Sequence, residues 1–282
     1  MFIARTLHDL LQASHIPPNG PPGTLALVPT MGALHAGHVS LLQAARRDGH
    51  RVAVSIFVNP TQFTAASDLE RYPRDEDADL ALLRDAGCDL VWLPSVATMY
   101  PEISDARIEI GGPALGWEGD ARPGHFGAVA TVVAKLINQI RPAAAYFGEK
   151  DWQQLQVIRS VAAELFIPVE IRGVPTLRET DGLALSSRNR FLGTDERRRA
   201  PALHRCLVRA AQAIAEGDDV PAILDTARED LTLRGFGVDY VALVDGPTLI
   251  EVTQHRPDAR LIAAARLGSV RLLDNVAVRA IS

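Results

Sequence analysis

The chain has 282 residues, of which 47% are hydrophobic and 22% are charged, and its formal net charge is −5 at pH 7. This length predicts two domains, and the ordinary composition excludes a disordered or fibrous protein. The acidic balance argues against a nucleic-acid partner, and we interpret the basic triplet Arg197–Arg199 as a solvated helix face. The two cysteines, Cys88 and Cys206, form no metal-binding or CxxC pattern, which fits a reducing compartment.

The N-terminal residues predict neither secretion nor a membrane anchor. Arg5, His8 and Asp9 interrupt the apolar stretch that a signal peptide would need. The longest apolar candidate, Val129–Ile140, contains Lys135 and is shorter than the ~18 residues of a membrane-spanning helix. We therefore expect a cytoplasmic protein with no membrane partner.

Short apolar runs alternate with helical patterns through the first part of the chain. The predicted strands are Thr24–Val28, Arg51–Val58, Asp89–Leu93, Ala143–Phe147 and Val169–Val174. The predicted helices begin at Gly37, cover Asp75–Ala86 and His125–Ile140, and begin again at Asp151. This alternation predicts an α/β fold, a Rossmann-like parallel sheet with helices on both faces, which binds ligands at the carboxyl ends of its strands.

Beyond Pro175 the pattern changes. A polar loop over Thr176–Leu192 precedes helices predicted at Asp195–Glu216 and Val220–Arg234 and strands predicted at Val238–Val244, Ala259–Ala265 and Val270–Val278. We predict a first domain of residues 1–176 and a smaller α+β domain of residues 177–282. The loop carries Ser186, Ser187 and Arg188, which suit a polyanion, and we expect it to move as a lid.

The segment Pro29–His38 places two histidines and two glycines where a buried strand opens into a helix. Free N–H groups and the positive end of the helix dipole favour phosphate at such a junction, Gly32 and Gly37 allow close approach, and imidazoles donate hydrogen bonds. Two other interpretations stay open at this point. His35 and His38 could bind a metal, or they could only cap the helix.

Further polar motifs follow other strands. In Gly148–Asp151, Lys150 can reach phosphates and Asp151 can cap a helix or orient a hydroxyl, although each is also common as an ordinary surface residue. The amides of Asn59, Gln62 and Gln154 suit recognition of a carboxylate or hydroxyl, but only as a set. We rank His125 below His38, and we interpret the acids of Arg74–Asp79 as complements to a helix dipole, so no metal site is predicted.

Five ordered motifs, PTMGALHAGH, FVNPTQF, RPGHF, YFGEKDWQQ and PTLRETDGLALSSRNRFL, resemble the pantoate–beta-alanine ligase family over nearly the whole chain. The HxGH motif alone would indicate only the wider group of nucleotidyltransferases and class I aminoacyl-tRNA synthetases. The resemblance implies ATP-dependent condensation of pantoate with beta-alanine through a pantoyl adenylate, with Mg²⁺ on the phosphates and a homodimer. Leu177, Ala128 and Ile137 depart from the residues common in the family, but none of these changes removes a polar group.

The resemblance also assigns residues. It implies that His38 is the proton donor and that Gln62 and Gln154 bind pantoate, with Gln62 also facing beta-alanine and Asn59 beside them. His35, Lys150 and Arg188 would join His38 in stabilising charge during catalysis. The segments that match the family's ATP contacts are Met31, Gly32, Ala33, Leu34, His35, Ala36, Gly37, His38, Gly148, Glu149, Lys150, Asp151, Leu177, Leu185, Ser186, Ser187 and Arg188.

Three rival functions remain at this stage. A plain nucleotidyltransferase of the same group would keep the nucleotide in its product and would give no reason for the paired glutamines. A tRNA-charging enzyme is disfavoured by the acidic balance and the short C-terminal region. A non-enzymatic nucleotide-binding module would bind ATP without consuming it.

Overall fold

The structure is a computed structural model that describes residues 1–14, 24–63, 66–102 and 104–279. Its internal contacts divide the chain into two compact units. Unit 1 comprises Met1–Glu149 and Val157–Pro175, and unit 2 comprises Lys150–Gln156 and Thr176–Ser282. The sequence-based division into residues 1–176 and 177–282 did not separate the segment Lys150–Gln156 from the first domain.

Unit 1 contains a six-stranded sheet. Its strands are β1 (Phe2–Ala4), β2 (Leu25–Thr30), β3 (Arg51–Ile56), β4 (Leu90–Trp92), β5 (Ala144–Gly148) and β6 (Glu170–Val174). All neighbours pair in parallel in the order β1-β4-β3-β2-β5-β6. β3 and β4 lie on one side of β2, and β5 and β6 lie on the other, so the strand order reverses between β2 and β5, where open α/β sheets bind ligands. The three-residue strand β1 was not predicted, because so short a run carries no periodic signal.

Helices cover both faces of this sheet. The helices of this part of the chain are α1 (Leu7–Ser14), α2 (Ala36–Arg47), α3 (Ala66–Arg71), α4 (Glu76–Asp85), α5 (Val96–Met99), α6 (Trp117–Ala121), α7 (His125–Ile140) and α8 (Trp152–Glu164), the last of which begins in unit 2. Side chains of α2 and α4 pack with Val28 and Val54 on one face. On the other face the buried indole N–H of Trp92 donates to Gln139 Oε1 of α7 at 3.0 Å. The predicted parallel α/β sheet is confirmed.

Unit 2 combines helices with an antiparallel sheet. Its elements are α9 (Thr194–Arg199), α10 (Ala202–Glu216), α11 (Val220–Leu233), β7 (Gly237–Asp245), β8 (Ala259–Leu267) and β9 (Val270–Ala277). The strands pair in the order β7-β8-β9. Leu207, Leu231, Leu243 and Leu261 are fully buried in its core. The predicted α+β character of this region is confirmed.

One helix prediction in unit 2 was wrong. The single helix expected over Asp195–Glu216 is two helices, α9 and α10, separated near Pro201. Proline lacks a backbone N–H, so Pro201 cannot donate to the carbonyl group one helical turn earlier, and the hydrogen-bond pattern of a continuous helix is interrupted there. Among the described residues, no helix has the length and hydrophobicity needed to span a bilayer.

Candidate functional site

The turn between β2 and α2 has a tightly constrained backbone. Gly32 has φ +78°, and a Cβ built on it would lie 2.8 Å from Asp79 Oδ2 and 3.1 Å from Ile56 Cγ2. Ala33 follows with φ +50°, a left-handed conformation that a non-glycine residue adopts only when its surroundings hold it there. The turn therefore requires glycine at position 32 and contacts that stabilise position 33.

Asp79 supplies those contacts. Its Oδ2 accepts a hydrogen bond from the N–H of Ala33 at 2.9 Å, and its Oδ1 accepts one from the N–H of Leu34 at 2.7 Å. The carboxylate lies near the start of α4 and is buried, and burial raises its pKa against the opposing effect of the two N–H groups. The acidic run at Arg74–Asp79 is thus more than a set of dipole complements, because its last member holds the turn in place.

His35 and His38 cap α2 reciprocally. The N–H of Gly37 donates to His35 Nδ1 at 3.1 Å, and the N–H of His35 donates to His38 Nδ1 at 3.3 Å. Each Nδ1 must be unprotonated to accept, so in the neutral rings the proton lies on Nε2. The ring centres are 4.2 Å apart. Capping and hydrogen-bond donation are therefore compatible, since different nitrogens serve them.

Gln62 lies after β3, and its side chain is oriented by Asn59. Asn59 is 1% exposed, and its Oδ1 accepts from the Tyr100 hydroxyl and the Thr61 hydroxyl, both at 2.9 Å. The Asn59 amide nitrogen then donates to Gln62 Oε1 at 3.1 Å. Gln62 Nε2 is consequently the donor end of that amide, and it donates to Met31 Sδ at 2.8 Å. Asn59 therefore orients the Gln62 side chain through this hydrogen bond.

The motif RPGH fixes the backbone of the same residue. His125 Nδ1 lies 3.1 Å from the carbonyl oxygen of Gln62, and Arg122 donates to that oxygen at 3.3 Å. Arg122 also lies 3.0 Å from His125 Nε2. Because arginine can only donate, His125 Nε2 accepts from Arg122, and the Nδ1–H of His125 donates to the carbonyl oxygen of Gln62. His125 is 6% exposed, so it positions Gln62 from inside the protein.

The Gly148–Asp151 motif spans the boundary of the two units. Gly148 ends β5, next to β2 in the sheet of unit 1, and Glu149 follows it. Lys150 and Asp151 continue into unit 2 in a 3-10 turn, and Lys150 Nζ lies 3.2 Å from Asp151 Oδ1. Gln154 lies in the first turn of α8 and is half-buried.

The polar loop of unit 2 is a hairpin. The N–H of Leu185 donates to the carbonyl of Leu177 at 3.0 Å, and Arg178 pairs with Ala184 in a β-bridge. Ser186 then caps a 3-10 helix over Ser187–Phe191, with its hydroxyl accepting from the N–H of Arg188 at 3.3 Å. The hairpin brings Leu177, Leu185, Ser186, Ser187 and Arg188 into one segment, with the Arg188 side chain exposed.

A buried ion pair anchors this hairpin to β9. Arg178 donates to both carboxylate oxygens of Asp274, at 2.7 and 2.8 Å, and His204 Nδ1 of α10 lies 3.5 Å from the same carboxylate. Asp274 is 5% exposed. Movement of the hairpin independent of unit 2 would break these contacts, so the lid movement expected from the sequence stays a prediction.

Each unit thus collects its own part of the predicted site. Unit 1 holds Met31–His38, Asn59, Gln62, Gly148 and Glu149, and unit 2 holds Lys150, Asp151, Gln154, Leu177 and Leu185–Arg188. Sequence reasoning missed Asp79 and Tyr100 as supports, because each acts through a distant residue. In the part of the chain that the structure describes, no three His, Cys, Asp or Glu side chains cluster as a metal site would require.

These features define a doubly wound α/β protein whose capped histidine pair lies where its strand order reverses, the place at which such sheets bind ligands. Residues 4–277 match the family model described as pantoate-beta-alanine ligase. The chain belongs to this family, whose members are ligases that join pantoate to beta-alanine.

Relatives and solved structures agree with this assignment. A pantothenate synthetase of Acidiphilium cryptum is 57% identical over 99% of this chain and 100% of its own length. One from Granulibacter bethesdensis is 55% identical over 98% and 96%. A crystal structure of pantothenate synthetase from Thermus thermophilus has a TM-score of 0.91 at 45% identity, covering 99% of this chain and 100% of that chain. A pantoate-beta-alanine ligase from Francisella tularensis, solved with beta-gamma ATP and beta-alanine, has a TM-score of 0.79 at 32% identity, covering 98% and 97%.

Proposed function

We propose that this ligase uses ATP to activate pantoate as an enzyme-bound pantoyl adenylate, which beta-alanine then converts to pantothenate. The observation that carries the proposal is the reciprocally capped His35–His38 pair at the start of α2. Its backbone cap assigns both Nε2–H groups as neutral donors suited to phosphate oxygens. The Francisella relative, solved with beta-gamma ATP and beta-alanine, supports the choice of co-substrates.

The first step joins two anions. A carboxylate oxygen of pantoate attacks the α-phosphorus of ATP, a new P–O bond forms, and pyrophosphate leaves with the electrons of the broken bond. We assign transition-state stabilisation to His35 and His38 as neutral donors, and to Lys150 and Arg188 as positive charges. The histidines do not add to the positive charge, because protonating Nδ1 would remove the cap of α2.

The second step needs little acid–base chemistry. The uncharged amine of beta-alanine attacks the acyl carbon, a C–N bond forms, AMP leaves with the electrons of the acyl C–O bond, and the amine releases a proton. We assign pantoate recognition to Gln62 and Gln154, with the second N–H of Gln62 Nε2 donating to a substrate oxygen. In this assignment Asn59 does not contact the substrate but orients Gln62 by donating to its Oε1.

The remaining ATP contacts are assigned by the family match. They comprise Met31–His38, Gly148–Asp151, Leu177 and Leu185–Arg188. We propose that Mg²⁺ enters with ATP, held chiefly by phosphate oxygens and water as is usual for this ion, where it neutralises phosphate charge. We also propose that the protein is cytoplasmic and forms a homodimer. Sedimentation equilibrium would test the homodimer.

Exchange of labelled pyrophosphate into ATP tests the first step. Exchange that requires pantoate and proceeds without beta-alanine is the expected result. ATP binding with no exchange under any substrate combination would contradict catalysis and favour the binding-module interpretation. A product that retains the nucleotide, in place of free AMP and an amide, would favour the rival nucleotidyltransferase.

An isotope experiment tests the intermediate itself. Oxygen-18 placed in the pantoate carboxylate is expected in AMP, since one carboxylate oxygen bridges carbon and phosphorus in the adenylate. Label that appears in inorganic phosphate would indicate an acyl-phosphate route and overturn the proposed mechanism.

A further inference from the structure

The backbone of Lys150 is held by the antiparallel sheet of its own unit. Asn275 of β9 donates from Nδ2 to the carbonyl oxygen of Lys150 at 2.9 Å. Two residues further along, the indole N–H of Trp152 donates to the carbonyl oxygen of Gly246 at 2.7 Å. The turn Lys150–Trp152 is therefore fixed at both of its ends by groups from the end of the chain.

Arg260 of β8 connects these two attachments. Its guanidinium stacks on Trp152, with Cζ 3.4 Å from the ring centre, and it also donates to Asn275 Oδ1. Because that oxygen accepts from Arg260, the amide nitrogen of Asn275 must face Lys150. Arg260 and Asn275 are 9% and 5% exposed, so both are held inside unit 2.

This arrangement matters because a lysine side chain is long and flexible. Its ammonium can be delivered to a reacting phosphate only if the backbone beneath it is fixed, and misplacement by about 1 Å can cost about 10²-fold in rate. Packing alone does not require a buried asparagine at position 275, since an apolar side chain of similar size would fill the same space. The hydrogen bond from Asn275 Nδ2 to the Lys150 carbonyl oxygen therefore needs another explanation.

We propose that Asn275 and Arg260 are positioning residues for Lys150, which make the catalytic use of that lysine depend on the C-terminal sheet. The proposal rests on the role assigned to Lys150 under the proposed function. Asn275 acts directly through the Lys150 carbonyl group, and Arg260 acts through the orientation of Asn275 and through Trp152.

The test is Asn275→Asp, a nearly isosteric change. One carboxylate oxygen still accepts from Arg260, while the other replaces the donor and faces the Lys150 carbonyl oxygen. The kcat and the rate of pantoate-dependent pyrophosphate exchange are expected to fall at least ~10-fold, with the pantoate KM within about twofold. Arg260→Met, which keeps an unbranched stem against Trp152, should show a smaller fall of the same kind and guards against misfolding of the first variant.

A double-mutant cycle separates positioning from a general structural effect. In a Lys150→Met background, Asn275→Asp should lower the exchange rate less than twofold further, because the group it positions is already gone. Asp239→Asn is the matched control, since Asp239 in β7 pairs with Arg271 in the same sheet and is not part of the turn's contacts. This control should leave the exchange rate unchanged.

The possible results distinguish failure of the positioning role from failure of the proposed function. Multiplicative losses in the cycle, or wild-type exchange in both Asn275→Asp and Arg260→Met, would overturn the positioning role while leaving the proposed function intact. Full exchange activity of Lys150→Met would overturn the catalytic role of Lys150 and with it the positioning role, whereas no exchange in the wild-type protein would overturn the proposed function. Equal losses in the Asp239→Asn control would attribute the effect to the stability of unit 2 and also overturn the positioning role.

Discussion

His35 and His38 each cap helix α2 through Nδ1 and, in the proposed mechanism, donate to phosphate through Nε2. For His38, Nδ1 accepts from the His35 N–H, so the proton of the neutral ring lies on Nε2, which can donate. His38→Ala removes both functions, whereas His38→Asn retains a side-chain oxygen that can cap the helix but does not reach as far. Both variants are expected to lose at least ~10²-fold in kcat.

Only the alanine variant should lower stability, by about 1 kcal/mol for the lost cap. Steady-state kinetics and thermal melting curves measure the two effects separately. Recovery of kcat in His38→Asn would show that the cap, and not the Nε2–H donor, is what the reaction requires.

In the proposed mechanism, pantoate recognition depends on the donor end of the Gln62 amide. Gln62→Glu keeps an oxygen for Asn59 but replaces the Nε2 donor with an acceptor, which would repel the pantoate carboxylate. The pantoate KM should rise at least ~10-fold, because a hydrogen bond to a charged group contributes roughly 1.5–3 kcal/mol. Gln154→Ala should act similarly, and ATP affinity measured without pantoate should stay within a few-fold.

Tyr100→Phe provides the companion test. Removing the hydroxyl that holds Asn59 should raise the pantoate KM by about 3–10-fold in an otherwise wild-type chain, the usual range for a neutral hydrogen bond. It should have almost no effect in a Gln62→Ala background. If the increases in the pantoate KM caused by Tyr100→Phe and Gln62→Ala multiply in the double variant, then Tyr100 does not act through Gln62.

At the scale of elements, the anchored hairpin should respond to acid. Burial raises the pKa of Asp274, but the neighbouring His204 and Arg178 outweigh it and hold the pKa below its usual value. A carboxyl group with a lowered folded-state pKa stabilises the protein above its unfolded pKa of about 3.9, and this contribution is lost as the pH falls through the folded-state pKa. Asp274→Asn should therefore lower the free energy of unfolding by about 3 kcal/mol at pH 7.

Denaturant titrations of both proteins between pH 7 and pH 3 test this linkage. The gap between wild type and Asp274→Asn should be constant above about pH 5 and should shrink as the pH falls below about 4. A gap that does not change with pH would show that the charge of Asp274 contributes nothing and that only its shape matters. Asp239→Asn, in a partly exposed ion pair of the same sheet, should change the free energy of unfolding by less than about 1 kcal/mol.

The elements themselves were largely predictable, since apolar periodicity within 10–20 residues places the strands of the parallel sheet and helix α7, whose predicted bounds His125–Ile140 match the structure. Motif residues could also be picked out, because each lies directly after a strand. Their supports could not, since the contacts of Asp79 with Ala33 and of Asn275 with Lys150 join residues far apart in sequence. No local pattern predicts which distant carboxylate or amide meets a given backbone group.

For the whole molecule, the two cysteines report on the two units separately. Cys88 lies in unit 1, where burial raises the pKa of its thiol to about 12, and Cys206 lies in unit 2, where burial also raises the thiol pKa. Both side chains are buried, so alkylation at pH 8 should require opening of the surrounding structure. Neither thiol should react appreciably in the native protein within the time that unfolded chain is labelled completely.

The separate cores of the two units predict that they open independently. Asp274→Asn weakens only contacts within unit 2, so it should speed labelling of Cys206 by about 10²-fold, the factor that corresponds to about 3 kcal/mol at equilibrium. Labelling of Cys88 should change less than about threefold, and peptide mass spectrometry resolves the two sites in one sample. Equal acceleration at both cysteines would show instead that α8, which contributes residues to both units, couples them into a single cooperative structure.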